Sequence, residues 1–353
     1  MKKDKYLIRF FQVGNGTKGG DAILIRLFDD KDKEHLVLID GGYKETGDKI
    51  INYIKGTCST SHIDIVFNTH PDRDHISGLV TLFDDKDITI GCLVLNRPWK
   101  DAKFTKDMFD DSKITDRSLV QRLKDNFNQA EELESIANDR KIRIERAFAG
   151  VCCYDGLIRV LGPSKTLYER GLLASDKTPE TYIEAGLGDY SPAAYKEEVY
   201  DSSQPIEWFD DEQTSAVNQT SFVIALDLGK QKVLFTGDAG KEALNDALDY
   251  YVSIGGNPKD FTIVQLPHHG SRKNIAPSII NRFGNPEYIV SCPPDGESEG
   301  HPSRRLMNKI LEINPKADIY FTKKVNFVFH ENVPVTNCEP QKPATVYDKM
   351  DGR

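Results

Sequence analysis

Five of the eight histidines gather in three short clusters: His70 with His75, His268 with His269, and His301. Histidine is the commonest transition-metal ligand, and carboxylates accompany the first cluster. Between His70 and His75, four potential ligands (His70, Asp72, Asp74 and His75) fall within six residues. Asp238 follows a glycine after the run Leu234–Thr236, and His268 and His269 stand between Pro267 and Gly270. Two imidazoles and three carboxylates, counting Asp238, are more than one tetrahedral ion needs. That arithmetic points to two metals sharing a bridge.

The clusters share a sequence context. Ile63–Asn68 reads as a strand running directly into Thr69 and His70. Lys232–Thr236 delivers Asp238 through Gly237, and Thr262–Leu266 delivers His268 and His269. Three strands ending in ligand residues suit a site at the rim of a sheet sandwich. A chain leaving a sheet edge can fold its side chains around one point. A helix would spread positions 70–75 around its circumference, so the next helix is expected to start only at Ile76. Upstream, Tyr6–Val13 and Ala22–Phe28 read as strands, and Leu36–Ile39 as a short buried strand ending in Asp40. Ile50, Ile51 and Ile54 mark one face of a helix, and Ile90–Leu95 is another strand. Residues 118–140 carry the clearest helical period, with Leu119, Leu123, Phe127, Ala130, Leu133 and Ile136 at steps of three and four. Gly156–Leu161 reads as a strand, and Ser221–Leu228 pairs with Lys232–Thr236 around Gly229. A helix over Lys241–Tyr251, a strand over Tyr288–Ser291 and a helix over Arg304–Glu312 follow. This order indicates an α/β sandwich of two sheets covered by helices.

Composition narrows the class. The chain of 353 residues carries 46 Lys+Arg against 55 Asp+Glu, a net charge of −9, which weighs against a protein that coats duplex nucleic acid. The longest apolar stretches, such as Phe222–Leu228, are far too short to cross a bilayer, and no secretion signal is visible, so a cytoplasmic location is expected. Six scattered cysteines form no Cys-x-x-Cys pair and are expected to be reduced thiols, mostly core filler. Residues 165–215 break the pattern as an acidic, aromatic-containing insertion. Within 181–215 nine acidic residues stand against one lysine, a net of −8. It is either a solvated insertion or a lid or protein-partner loop.

The segment Thr69–Leu79, with its ordered His70, Asp72, Asp74 and His75, resembles the signature loop of metallo-β-lactamase-fold hydrolases. Most of that superfamily carry histidine at the third loop position, where this chain has Asp72. The variant is typical of the subgroup similar to the C-terminal domain of ComEC and to phosphorylcholine esterase. Val13–Gly16 with Gly20–Ile25, Asn218–Ser221, Leu266–Ser271 and Gly300–Ser303 resemble further motifs of the subgroup in order. The resemblance implies an αββα four-layer sandwich of two mixed β-sheets flanked by helices. The resemblance runs from about residue 7 to 325, and residues 1–330 are expected to form one hydrolase domain, with 331–353 as a C-terminal tail.

It also implies a coordination scheme for two divalent ions, Zn²⁺ or Mn²⁺. Asp74, His75, Asp238 and His269 would hold one ion, and His70 and Asp72 the other, with Asp238 bridging. Asp74, His268 and His301 are the candidate catalytic residues. His268 would be a weak ligand or donor beside the second ion. His301 would bind a phosphate oxygen or protonate the leaving group, or else merely cap the helix that follows. Asp40 would order the loop beneath the metals. Arg272, Lys273, Arg304 and Arg305 flank the last two motifs and could supply a positive rim or only solvated surface charge. The expected reaction is hydrolysis of a phosphodiester in a nucleotide or nucleic acid by a metal-bridging hydroxide. Hydrolysis of a small ester, thioester or lactone, and a non-catalytic binding module on the same fold, are the alternatives. An anionic, oxygen-rich pocket lets Mn²⁺ compete with Zn²⁺.

Overall fold

The strand runs alternate between two apolar destinations. In the run Ile23–Phe28, Ile23, Ile25 and Leu27 join one buried cluster while Leu24 joins another. A strand apolar on both faces must be covered on both, which is why these runs read as nearly continuous hydrophobic stretches. In the computed structural model, which describes residues 1–16, 18–111, 113–179, 208, 213–293, 301–322 and 326–333, two seven-stranded sheets do the covering.

The first sheet begins with β1 (Tyr6–Phe10), β2 (Ile23–Phe28), β3 (Glu34–Ile39), β4 (His62–Phe67), β5 (Thr89–Val94) and β6 (Arg143–Glu145). The second contains β7 (Cys152–Cys153), β8 (Ile158–Gly162), β9 (Val223–Leu228), β10 (Gln231–Phe235), β11 (Ile263–Gln265), β12 (Glu287–Val290) and β13 (Ile319–Phe321). The chain then returns to the first sheet, where β14 (Phe327–Glu331) pairs antiparallel with β1. The strand runs one residue past the expected boundary at 330, and 334–353 lies outside the described residues.

The first sheet's outer face carries α1 (Lys44–Thr57), α2 (Arg73–Asp84), the short α3 (Pro98–Asp101), α4 (Asp116–Asn126) and α5 (Asn128–Asp139). After α6 (Lys165–Leu173), the second sheet's outer face carries α7 (Lys241–Ser253), the short α8 (Pro277–Ile280) and α9 (Arg304–Ile313). Between the sheets, Ile8, Phe10, Val37 and Phe67 meet Ile224, Leu226, Val233 and Phe235. This is the four-layer arrangement expected.

Three local readings need correction. The single period over 118–140 is two helices, broken at Phe127, whose buried ring sits at a non-helical φ of −108° and ψ of 42°. The helix expected from Ile76 starts at Arg73, so Asp74 and His75 lie in its first turn. Residues 165–173, placed at the start of the insertion, are a helix that buries Leu167, Tyr168 and Leu172. The acidic stretch itself lies outside the described residues apart from Trp208 and 213–215, and Trp208 packs against the second sheet's outer core.

Candidate metal centre

β3 and β4 are parallel neighbours, as are β10, β11 and β12, so their C-terminal ends collect at one rim. The chain leaving β3 supplies Asp40, that leaving β4 supplies His70, that leaving β10 supplies Asp238, and that leaving β11 supplies His268 and His269. Ligands therefore come from both sheets. Gly237 makes the close approach possible: its φ is +48°, and a Cβ there would meet the Thr69 side chain at 3.0 Å.

Asp40, wholly buried, ties the rim together. One carboxylate oxygen accepts the Thr69 N–H at 2.8 Å and the Asn68 side-chain amide at 3.3 Å. The other accepts the Thr69 hydroxyl at 2.6 Å and lies 2.8 Å from His75 Nδ1. With Nδ1 committed to a carboxylate, His75 presents Nε2 to the centre. His70 is set the same way, its Nδ1 lying 3.1 Å from the Thr69 hydroxyl. His268 Nδ1 lies 3.1 Å from the Asn274 side-chain oxygen, while the Asn274 amide donates to the Asp238 carbonyl at 2.8 Å. Asn274 is wholly buried and has no counterpart in the sequence reasoning, because an isolated asparagine in a loop carries no spacing pattern. Asp21 is likewise buried, 3.9 Å from His75 Nδ1, and burial pushes its carboxyl upward.

The donor atoms form two groups that meet at Asp238. Asp238 Oδ1 lies 3.3 Å from His75 Nε2, which is 3.7 Å from Asp74 Oδ2, and His269 Nε2 is 3.2 Å from that same oxygen. Asp238 Oδ2 lies 3.5 Å from His70 Nε2 and 3.6 Å from His268 Nε2, and His70 Nε2 is 3.7 Å from Asp72 Oδ2. Donors bound at about 2.0–2.1 Å around a tetrahedral ion stand roughly 3.3–3.4 Å apart. The first group, at 3.2–3.7 Å, brackets that spacing, and the second, at 3.5–3.7 Å, is slightly wider. His70 Nε2, His75 Nε2 and Asp238 Oδ1 are buried without a hydrogen-bond partner, an arrangement that is costly unless a cation satisfies them. Asp74, His75, Asp238 and His269 together could hold a metal ion.

Electrostatics agree. Burial penalises the His75 imidazolium, yet the carboxylates of Asp238, Asp74 and Asp40 hold it well above the ordinary histidine range. Burial opposes the charged form of His269 too, but its bond to Asp74 and the nearby Asp238 raise it to about 9. Burial would raise Asp74, yet His75 and His269 bring it down to about 2, and against the same opposition the surrounding imidazoles hold Asp238 well below the carboxylate range. Without metal, protons occupy the place that cations suit.

Adjacent residues His268 and His269 reach different groups because both adopt left-handed backbone, at φ +47° and +55°. For non-glycine residues this stores about 1–3 kcal/mol each, strain that recurs at functional sites. The His301 ring lies beside that of His268, with centroids 4.7 Å apart and planes tilted by 50°. Ser303, not His301, caps α9 by accepting the Leu306 N–H, which removes the capping role considered above. Asn218 donates to the Thr214 hydroxyl, and the Phe222 N–H reaches the Thr69 carbonyl, so the 218–222 turn buttresses the loop before His70. Arg304 is exposed, while Arg272, Lys273 and Arg305 are half-buried.

Among curated proteins, none matches this chain in sequence. Several solved structures are similar. A Thermotoga maritima protein assigned to the metallo-β-lactamases is 11% identical, with a TM-score of 0.34, covering 71% of this chain and 92% of its own. The metallo-β-lactamase SMB-1 is 10% identical, with a TM-score of 0.32 and coverage of 75% and 82%. The long form of RNase Z from yeast is 11% identical, with a TM-score of 0.36 and coverage of 82% and 37%. Residues 15–293 match the family model described as the metallo-beta-lactamase superfamily, and with most of its length so matched the chain belongs to that superfamily.

Proposed function

We propose that this chain is a dinuclear metal-dependent phosphodiesterase acting on a nucleotide or nucleic acid, of the subgroup resembling the ComEC C-terminal domain and phosphorylcholine esterase. The observation that carries the reading is the division of Asp238, one oxygen to the group of Asp74, His75 and His269, the other to His70, Asp72 and His268. When bound, two divalent ions, Zn²⁺ or Mn²⁺, supply Lewis-acid charge stabilisation and make water acidic enough to attack. The residues do the rest. Asp238, with one oxygen toward each donor group, would be the residue common to both ions. Asp40 and Thr69 keep His75 and His70 in the tautomer that offers Nε2 inward. Asn274 does so for His268, which favours His268 as a ligand of the second position over an outer donor. His301, its ring beside that of His268, would protonate a departing oxygen on that side. The anionic donor set, with Asp72 in place of an imidazole, favours oxygen-loving cations and hence Mn²⁺ alongside Zn²⁺.

The test is a substrate panel on protein loaded with Zn²⁺ or with Mn²⁺: bis-p-nitrophenyl phosphate, a cyclic dinucleotide, single-stranded DNA and a lactone. Diester hydrolysis lost in Asp238→Ala is the expected outcome. Turnover of the lactone alone would overturn the phosphodiesterase reading, and no turnover with either metal would overturn the enzyme reading.

A further inference from the structure

Asp72 occupies the N-cap of α2, where an aspartate ordinarily turns its carboxylate onto its own helix N–H groups. Here its side chain makes no cap bond. Instead Lys177 Nζ lies 2.6 Å from Asp72 Oδ1, while Oδ2 lies 3.7 Å from His70 Nε2. One oxygen faces an ammonium and the other faces the donor group. Lys177 comes from far along the chain and is held in place. Its carbonyl accepts from the Asn126 side chain at 2.7 Å, its N–H donates to the Ser175 hydroxyl at 3.1 Å, and its ammonium lies 5.5 Å from the Phe127 ring centre. The break between α4 and α5 at Phe127 thus supplies the aromatic face beside the lysine.

We propose that Lys177 is a positioning residue that shares Asp72 with the second cation, restricting the carboxylate to one coordinating oxygen and weakening that cation's hold. The inference rests on the two-cation reading above. The first group has its own carboxylate, Asp74, and is untouched by Lys177. The second is therefore the weaker position, and the one whose occupancy a nearby positive charge controls. Even with water-like screening, one positive charge about 6 Å from a divalent ion lowers its affinity roughly tenfold.

Mn²⁺ titration of the metal-depleted full chain, followed by calorimetry and by the electron paramagnetic resonance of free Mn²⁺, resolves the two binding events. Lys177→Met is expected to tighten the weaker event roughly tenfold and leave the tighter one in place. Lys177→Arg keeps the positive charge and should titrate as wild type. In an Asp72→Asn background, Lys177→Met should tighten the weaker event by clearly less than tenfold, because the carboxylate they share is gone and only through-space repulsion is left. A weaker event unchanged or loosened by Lys177→Met, with two ions still bound, would overturn this inference alone. A wild-type chain that takes a single ion at saturating Mn²⁺ would overturn the two-cation reading and this inference with it.

Discussion

His75 is wholly buried with carboxylates on both of its nitrogens, Asp40 at Nδ1 and Asp238 and Asp74 at Nε2. In the metal-free protein such an imidazole is charged, and its charge is stabilising. The folded-state pKa of His75 lies well above 6.5, and that of His269 is about 9. Both contributions are fully present below pH 6.5; that of His269 is lost as pH rises through about 9, and that of His75 as pH rises through its own raised pKa. Asp74, depressed to about 2, contributes above the ordinary carboxylate range and loses that contribution as pH falls toward 2. Metal-free protein should therefore melt at its highest temperature in weakly acidic buffer and soften between pH 7 and 9. Cation binding inverts this dependence, because coordination needs both imidazoles neutral. Affinity should climb by about one decade per pH unit for each protonated histidine displaced. Calorimetry in buffers of different ionisation heat would count the protons, and binding at pH 7 that releases none would contradict the electrostatic reading. His301 has a separate signature. If it protonates the departing oxygen, His301→Ala should slow an alkyl or ribose leaving group by roughly 10²–10⁴ and barely affect p-nitrophenolate. A defect indifferent to the leaving group would reduce His301 to substrate binding.

The first turn of α2 positions half of the centre, so the element's fit against β3 matters more than its length. At Gly78 a Cβ would lie 1.9 Å from the Gly41 carbonyl oxygen, and the Gly78 N–H donates to the Gly42 carbonyl at 2.7 Å. Gly78→Ala must push α2 outward and carry Asp74 and His75 with it. We expect a loss of about 3 kcal/mol or more, beyond ordinary core substitutions, together with weakened cation binding. Gly56 in α1 is the control: nothing lies within 4 Å of a Cβ there, so Gly56→Ala should stabilise by about 0.5–1 kcal/mol. Paired melting curves check both, and equal effects would contradict the packing argument. The same element shows what local sequence can carry. Apolar runs such as Ile23–Phe28 and the ligand spacing from His70 to His75 survive into the structure because their chemistry is local. The start of α2 does not follow from the pattern. Asp74 and His75 are neighbours in one helical turn, and Asp238, folding in from the other sheet, lets them share a point despite pointing differently. Asn274 and Lys177 are invisible beforehand for a related reason. Their partners, Asp238 and Asp72, lie 36 and 105 residues away, and neither contributes a periodic position.

Across the whole molecule, the centre is a seam. His70, Asp72, Asp74 and His75 descend from the first sheet, and Asp238, His268 and His269 from the second. The two halves already share an apolar interior, and among the described residues no helix is long and apolar enough to cross a membrane. Bound cations would add a second fastening at the open rim. There the metal-free protein concentrates buried carboxylates and imidazolium groups that satisfy one another imperfectly. A ligand that binds only the native state stabilises it by RT ln(1 + [L]/Kd), about 4.1 kcal/mol at a thousandfold excess over Kd. Spread over a chain of this length, that is expected to raise the melting temperature by several degrees. The protection should be uneven. Amide exchange should slow most in the loops after β4, β10 and β11, which the proposed ligands occupy, and least at β7 on the edge of the second sheet. Asp238→Asn keeps the shape of the side chain but removes the charge both groups share, so it should abolish most of the cation-induced shift and, by taking a carboxylate from the buried His75, also lower the metal-free melting temperature. If Asp238→Asn gained as much from added Mn²⁺ or Zn²⁺ as wild type, the cations would have to bind elsewhere, and the seam would be held by its apolar core alone.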